Sequence, residues 1–180
     1  AKNIDRLNKL TSVLINSSSL INICLDKHEL LNFLDVNGLK VPEHGLVGKD
    51  NPKKLPVIVK PRRGQGKKGL KKVLSLFDYN ISNNEVWQEL LLPDEQEFTC
   101  AVYVSPNLEY KLLQIRRALI GGYTGKGEIV DNQEIKNYIK KIVNIFKAKG
   151  CFNVQLRLTK QGPLLFEINP RLSSTIVFRD

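Results

Sequence analysis

The chain has 180 residues, 42% of them hydrophobic, and its 28 basic and 18 acidic side chains give a formal net charge of +10, enough apolar material for one core or one domain of two lobes. No run approaches the roughly eighteen apolar residues of a membrane helix, and no segment resembles a signal peptide, so a cytoplasmic protein without a membrane partner is expected. Cys24, Cys100 and Cys151 are odd in number and scattered, and only His28 and His44 accompany them, which speaks against a disulfide framework or a zinc site.

In chain order, residues 2–10 read as a helix with Ile4, Leu7 and Leu10 at helical spacing, 12–15 as a short strand and 18–24 as a second helix. Asp26 with Glu29 three residues later forms a capping box, opening a helix that runs through Val36 and ends at Asn37 and Gly38. Strands are expected at 55–61, 86–91, 97–104 and 108–120, the second and third joined by a polar turn at Pro93 and Asp94. After glycines at 121, 122, 125 and 127, the segment 133–148 sets Ile135, Tyr138, Ile139, Ile142 and Phe146 on one helical stripe. Strands 151–159 and 163–169 close the chain around a three-residue loop of Lys160, Gln161 and Gly162, with glycine at the left-handed position. This order, helices first and then mostly strands, is that of an α+β fold.

The final hairpin carries the first candidate site. Pairing Thr159 with Pro163 puts Gln155 opposite Glu167 and Asn153 opposite Asn169, with Phe152, Val154, Leu156 and Leu158 on the other face alongside Leu164, Phe166 and Ile168. Opposed residues have Cβ atoms roughly 4.5–5.5 Å apart, so the oxygens of Gln155, Glu167 and Asn169 can converge on one hard cation. Magnesium suits such a set, because it takes a few protein oxygens together with water and substrate phosphates. Arg171, just beyond, would neutralise phosphate charge. A solvated sheet face is the competing reading, but it more often carries Lys and Thr than Gln, Glu and Asn bracketed by apolar residues.

The excess positive charge is concentrated between Lys60 and Lys72, in "VIVKPRRGQGKKGLKKV". A strand delivers Lys60, and Gly64, Gly66 and Gly69 allow backbone N–H groups to approach phosphate oxygens. The stretch is neither a Walker loop nor a dinucleotide fingerprint, and alone it is equally a basic hairpin tip. A third stretch, "QELLLPDEQEF", places Glu89 and Glu97 either side of a short connection, with main chain around Leu90 and Leu91 free to meet a flat base edge.

Together and in order these stretches resemble the ATP-grasp superfamily, in particular the ATP-binding portion of the carbamoyl-phosphate synthetase large subunit. The resemblance covers about Ile23 to Asp180 and rests on "CLDKHELLNFLDVNGLKVP", "LPVIVKPRRGQGKKG", "QELLLPDEQEFT", "RRALIGGYTGKGEIV", and "VQLRL" followed by "LLFEINPRLSSTIVF". It implies two α+β lobes with the nucleotide held between antiparallel sheets, an N-lobe at about 26–90 and a C-lobe at about 91–180, after a remnant of a Rossmann-like domain at 1–25. It further implies that Lys27 and Lys60 contact ATP phosphates under the glycine loop, that Glu89 and the Leu91 main chain bind adenine, and that Glu97 takes the ribose hydroxyls. Gln155, Glu167 and Asn169 would hold magnesium, with manganese as an alternative ion, and Arg171 would stabilise the transferring phosphoryl group. The implied chemistry is carboxylate plus ATP giving an acyl phosphate, which an amine or similar nucleophile then attacks.

Lys67 stands where the family's glycine loop often has Ser, and the chain is expected to be a fragment of a longer ligase, incomplete for turnover by itself. A rival class is a basic nucleic-acid-binding module built on Lys67, Lys68, Lys71 and Lys72 with Phe77 and Tyr79. The basic run lacks interleaved aromatics, however, and that reading leaves the polar hairpin unexplained. A third is an ATP-grasp domain that binds nucleotide without catalysis, against which the intact metal triad argues.

Overall fold

The apolar runs of the chain pair into two antiparallel sheets rather than one. The computed structural model describes residues 3, 6–7, 9–11, 15–64, 69–75, 84–120 and 123–172. The first sheet holds β1 (His44–Leu46), β2 (Val57–Pro61), β3 (Lys71–Val73) and β4 (Glu85–Glu89) in the order β1-β4-β2-β3. The second holds β5 (Glu97–Val104), β6 (Tyr110–Ile120), β7 (Tyr123–Val130), β8 (Gly150–Thr159) and β9 (Gly162–Asn169) in the order β7-β6-β5-β8-β9. Helices α1 (Ser18–Cys24), α2 (Lys27–Val36) and α3 (Gln133–Phe146) cover one face of this second sheet. The expected helix at 2–10 falls partly, and the strand at 12–15 largely, outside the described residues, and Gly66, Lys67, Lys68, Phe77 and Tyr79 lie outside them.

Helix α2 begins where expected, with the Asp26 carboxylate accepting from the N–H groups of His28 and Glu29. The reciprocal half of the capping box is missing. Glu29 turns instead to Arg62 at 3.2 Å, because a guanidinium outcompetes a neutral N–H for a carboxylate. Helix α3 is capped by Asn132, whose side chain accepts from the Ile135 N–H, and it buries Ile135, Tyr138, Ile139, Ile142 and Val143. Phe146 is only half-buried and stacks on Phe33 of α2, ring centroids 5.1 Å apart.

Tyr138 ties α3 to β9 and to the chain following α2. Its hydroxyl donates to the Lys40 carbonyl at 2.7 Å and accepts from the Leu165 N–H at 3.2 Å. Tyr138→Phe strands the Leu165 N–H, a buried donor, so it is expected to lower unfolding free energy by about 1–3 kcal/mol in a urea titration. A loss below about 0.5 kcal/mol would show that water reaches that group.

Two features depart from the sequence-based expectation. Residues 123–130, for which no element was expected, form β7, antiparallel to β6 with a register shift at Ala118/Leu119. In the last hairpin Thr159 pairs with Gly162 rather than Pro163, so the loop is the two residues Lys160 and Gln161. Gly162 has φ +96, which a side chain would resist. One extra residue in β9, Phe166, then restores the register, and Gln155 faces Glu167 and Asn153 faces Asn169 as expected. The bulge also changes which residues reach the core. Leu165 joins Ile168 under the helices, while Phe166 turns toward Lys60.

Candidate active site

Strand alternation divides the second sheet into a helix-covered face and a polar one. In β5, Phe98, Cys100, Val102 and Val104 pack under the helices, which leaves Glu97, Thr99 and Ala101 on the opposite face. Antiparallel register lays out rungs on that face: Thr99, Gln155 and Glu167 across β5, β8 and β9, then Ala101, Asn153 and Asn169. Thr99 Oγ1 donates to Asn153 Oδ1 at 2.9 Å, while Asn153 Nδ2 is buried without a partner.

At the next rung the buried Glu97 carboxylate lies between two guanidinium groups. Arg117 donates to its Oε1 through Nε at 3.0 Å and Nη2 at 2.8 Å, and Arg157 Nη2 donates to its Oε2 at 2.7 Å. Arg117 Nη2 also reaches Gln155 Oε1 at 2.9 Å, and Arg157 Nη1 donates to Asp94 Oδ1 and the Leu91 carbonyl. A continuous network therefore runs from the β4–β5 connection to the middle of β8. Beside it opens a cleft of about 670 Å³, lined by Asp94, Glu97, Arg117, Lys126 and Arg157 among others.

The first sheet contributes Lys60 from β2. Its side chain lies on the face opposite Val57, Val59 and Trp87, which form that sheet's small core with Val47 and Val73. Lys60 Nζ donates to Gln88 Oε1 at 2.7 Å and, across to the second sheet, to the Phe166 carbonyl at 3.3 Å. Burial, then the neighbouring Lys27 charge, lowers its pKa to about 7, with the Glu167 carboxylate pulling the other way. A cation and an anion thus lie on facing sheets around one space.

The base of the glycine loop is fixed to the start of α2. Lys27 N–H donates to the Arg62 carbonyl at 2.9 Å, Lys27 Nζ donates to the Gly64 carbonyl at 3.1 Å, and Arg62 pairs with Asp26 at 2.9 Å. Burial alone would raise the Asp26 carboxyl, but the Arg62 hydrogen bond and charge with the two α2 N–H groups hold it below its ordinary value. Gly69, at φ +77, brings the loop back so tightly that a Cβ there would lie 2.9 Å from the Pro61 ring.

Lys27, Lys60, Gly64, Gln155, Glu167 and Asn169 are thereby brought around the space between the sheets. Glu89 is not on the Lys60 face, because it pairs with Val57 and accepts from the Glu43 N–H at 3.2 Å. Of the Leu91 main chain, expected to bind adenine, the carbonyl is taken by Arg157. Arg171 is exposed, its Nη1 donating to the adjacent Leu172 carbonyl. Sequence reasoning missed Arg117, Arg157 and Gln88 as site residues. Arg157 had a visible signal, two residues from Gln155 and hence on the same strand face, flanked by Leu156 and Leu158.

No group of three His, Cys, Asp or Glu that could hold a metal ion occurs among the described residues, and the test for the amide-containing set is whether its oxygens suit magnesium. The Gln155, Glu167 and Asn169 set passes that test. Among the described residues no hydrogen bond or salt bridge reaches the half-buried Glu167 carboxylate, and magnesium needs only one or two carboxylates beside water and phosphate.

Two facing antiparallel sheets, a lysine between them, a glycine loop clipped to a helix start and an acid–amide hairpin together define the ATP-grasp fold, and the motif resemblance holds at the level of that superfamily. Within it, the family described as "ATP-grasp in the biosynthetic pathway with Ter operon" matches residues 91–179. Among solved structures, N5-carboxyaminoimidazole ribonucleotide synthetase from Thermotoga maritima is similar over 97% of this chain and 49% of its own, with TM-score 0.69 and 22% identity. Carboxyaminoimidazole ribonucleotide synthase from Aspergillus clavatus complexed with ATP is similar over 97% and 51%, with TM-score 0.76 and 16% identity. L-amino acid ligase from Bacillus licheniformis is similar over 98% and 47%, with TM-score 0.74 and 18% identity. The chain spans about half the length of these structures, and at such identities the likeness establishes the fold alone. No curated protein matches the chain by sequence.

Proposed function

We propose that the chain binds ATP with magnesium between its two sheets and transfers the γ-phosphoryl group to a small carboxylate, giving an acyl phosphate for an amine or similar nucleophile. One observation carries this reading: the buried Lys60 ammonium spans from Gln88 on one sheet to the Phe166 carbonyl on the other, beside the Glu167 carboxylate, which no hydrogen bond or salt bridge reaches among the described residues. The single Glu167 carboxylate does not offset both the buried Lys60 and the neighbouring Lys27 charges, and a polyphosphate placed between the sheets supplies further negative charge. Lys27 adds a second charge on the same side. The names of the similar structures, a ribonucleotide synthetase and an amino acid ligase, one of them holding ATP, support nucleotide use and ligation.

In this reading Lys60 and Lys27 hold phosphate oxygens and the glycine loop covers them. The Leu91 N–H meets the base, its carbonyl being engaged by Arg157. Glu97, with lone pairs left on each oxygen, accepts from the ribose. Gln155, Glu167 and Asn169 would hold magnesium, which when bound supplies charge neutralisation for phosphoryl transfer. Arg171 would swing toward the transferring group from its exposed position. The likeness to carbamoyl-phosphate synthetase within the superfamily rests on the five stretches quoted above, most specifically on the last pair, which includes the motifs in β8 and β9. The basic run is not needed as a nucleic-acid platform, and no helix among the described residues is long and apolar enough to cross a membrane.

Glu167→Gln keeps the shape and removes the charge. It is expected to weaken magnesium-dependent ATP binding by at least about tenfold, since even partners behind metal ligands commonly contribute that much. Isothermal titration with and without magnesium reads it. Unchanged magnesium-dependent binding in a folded variant removes the hairpin from the site.

A further inference from the structure

We infer that Arg117 is a positioning residue that aims the Gln155 amide oxygen at the metal and couples that aim to the nucleoside end of the cleft. The inference rests on the proposed nucleotide reading and assigns a role that the site's own motifs leave open. Its basis is chemical. Guanidinium has donors and no acceptor, so the Gln155 atom 2.9 Å from Arg117 Nη2 is the oxygen, and the amide cannot turn over while that bond stands. An amide oxygen carries two lone pairs, which leaves one for a cation on the Glu167 side of the same rung.

Arg117 is itself held. Its Nε and Nη2 both bind Glu97 Oε1, and its side chain is 11% exposed. Glu97 is gripped from the other side by Arg157, which also holds the Leu91 carbonyl. One guanidinium fork therefore fixes the relative placement of the carboxylate assigned to ribose and the amide assigned to metal, on neighbouring strands that sequence does not connect. A lysine cannot do this. Its ammonium can pair with Glu97 as a point charge, but it lacks the planar fork that serves two acceptors in fixed geometry.

The test measures binding of a fluorescent ATP analogue across a magnesium titration, for wild type, Arg117→Lys, Arg117→Met, Gln155→Ala and the double variant Arg117→Lys/Gln155→Ala. Arg117→Lys keeps the charge beside Glu97 and is expected to melt near wild type, yet to raise the magnesium midpoint about tenfold, the usual scale for losing a partner of a metal ligand. Arg117→Met is expected to shift the midpoint the same way and to melt lower. In the double variant the midpoint is expected to equal that of Gln155→Ala alone, because a residue that acts through Gln155 has nothing left to act on. A shift below twofold in Arg117→Lys, or additive shifts in the double variant, overturns the inference while leaving the nucleotide reading intact. A wild type whose analogue binding ignores magnesium overturns both.

Discussion

Lys60→Met is expected to weaken ATP binding about a hundredfold while adenosine binding stays within about threefold, since removing one partner of a buried charge pair costs about 2–5 kcal/mol and only the phosphates need the ammonium. The wild-type affinity is also expected to depend on pH. Burial and Lys27 lower Lys60 from its ordinary 10.5 to about 7, and bound phosphate favours the charged form. As pH rises through 7 the free protein loses the proton that binding must restore. Affinity therefore falls by about tenfold per pH unit above that point, until the pKa of the complex is reached. Stability moves the other way. Between about 7 and 10.5 the unfolded chain keeps a proton on Lys60 that the folded chain has released, so unfolding free energy rises with pH across that window. Lys60→Met is expected to flatten both slopes. A variant that loses ATP and adenosine equally, or a wild type whose ATP affinity is level from pH 6 to 9, would contradict a phosphate contact.

What could be read from sequence was local. Asp26, Asn37 and Gly38 bounded α2, and the stripe from Ile135 to Ile142 gave α3, because caps and periodicity act within a few residues. The hairpin pair Gln155 and Glu167 was legible too, although by compensation. The expected loop was one residue too long, and the unforeseen bulge at Phe166 cancelled that slip at the site. β7 escaped because glycines at 125 and 127 lower strand propensity, whereas seven register pairs with β6 override it. The Glu97, Arg117 and Arg157 cluster was illegible for a different reason. Alternation shows which residues share a face of one strand, but not that β5 lies between β6 and β8, and that order joins three side chains spread over sixty residues. Gln88 is hidden in the same way, since only the pairing of β4 with β2 makes it the acceptor for Lys60.

That cluster carries the largest expected change in stability. Glu97→Ala is expected to lower unfolding free energy by about 3–5 kcal/mol, because it leaves Arg117 buried without its counter-charge and Arg157 with only the exposed Asp94 carboxylate. Both guanidinium groups are only 11–13% exposed at the side chain, so water cannot replace the lost carboxylate without opening the sheet face. Glu97→Gln keeps one acceptor oxygen and is expected to fall between Ala and wild type. The triple replacement of Glu97, Arg117 and Arg157 by Leu, Met and Met removes the three buried charges together, leaving only the exposed Asp94, and is expected to recover most of the loss, as apolar replacements of buried ion clusters often do. It is also expected to bind no nucleotide, because the ribose acceptor and the support for Gln155 go together. That combination of restored folding and absent binding separates the two roles of Glu97. Urea denaturation of the three variants measures the first and a fluorescent ATP analogue the second. A Glu97→Ala chain that unfolds within about 1 kcal/mol of wild type would mean that the three charges are solvated separately and do not form the network seen across β5, β6 and β8.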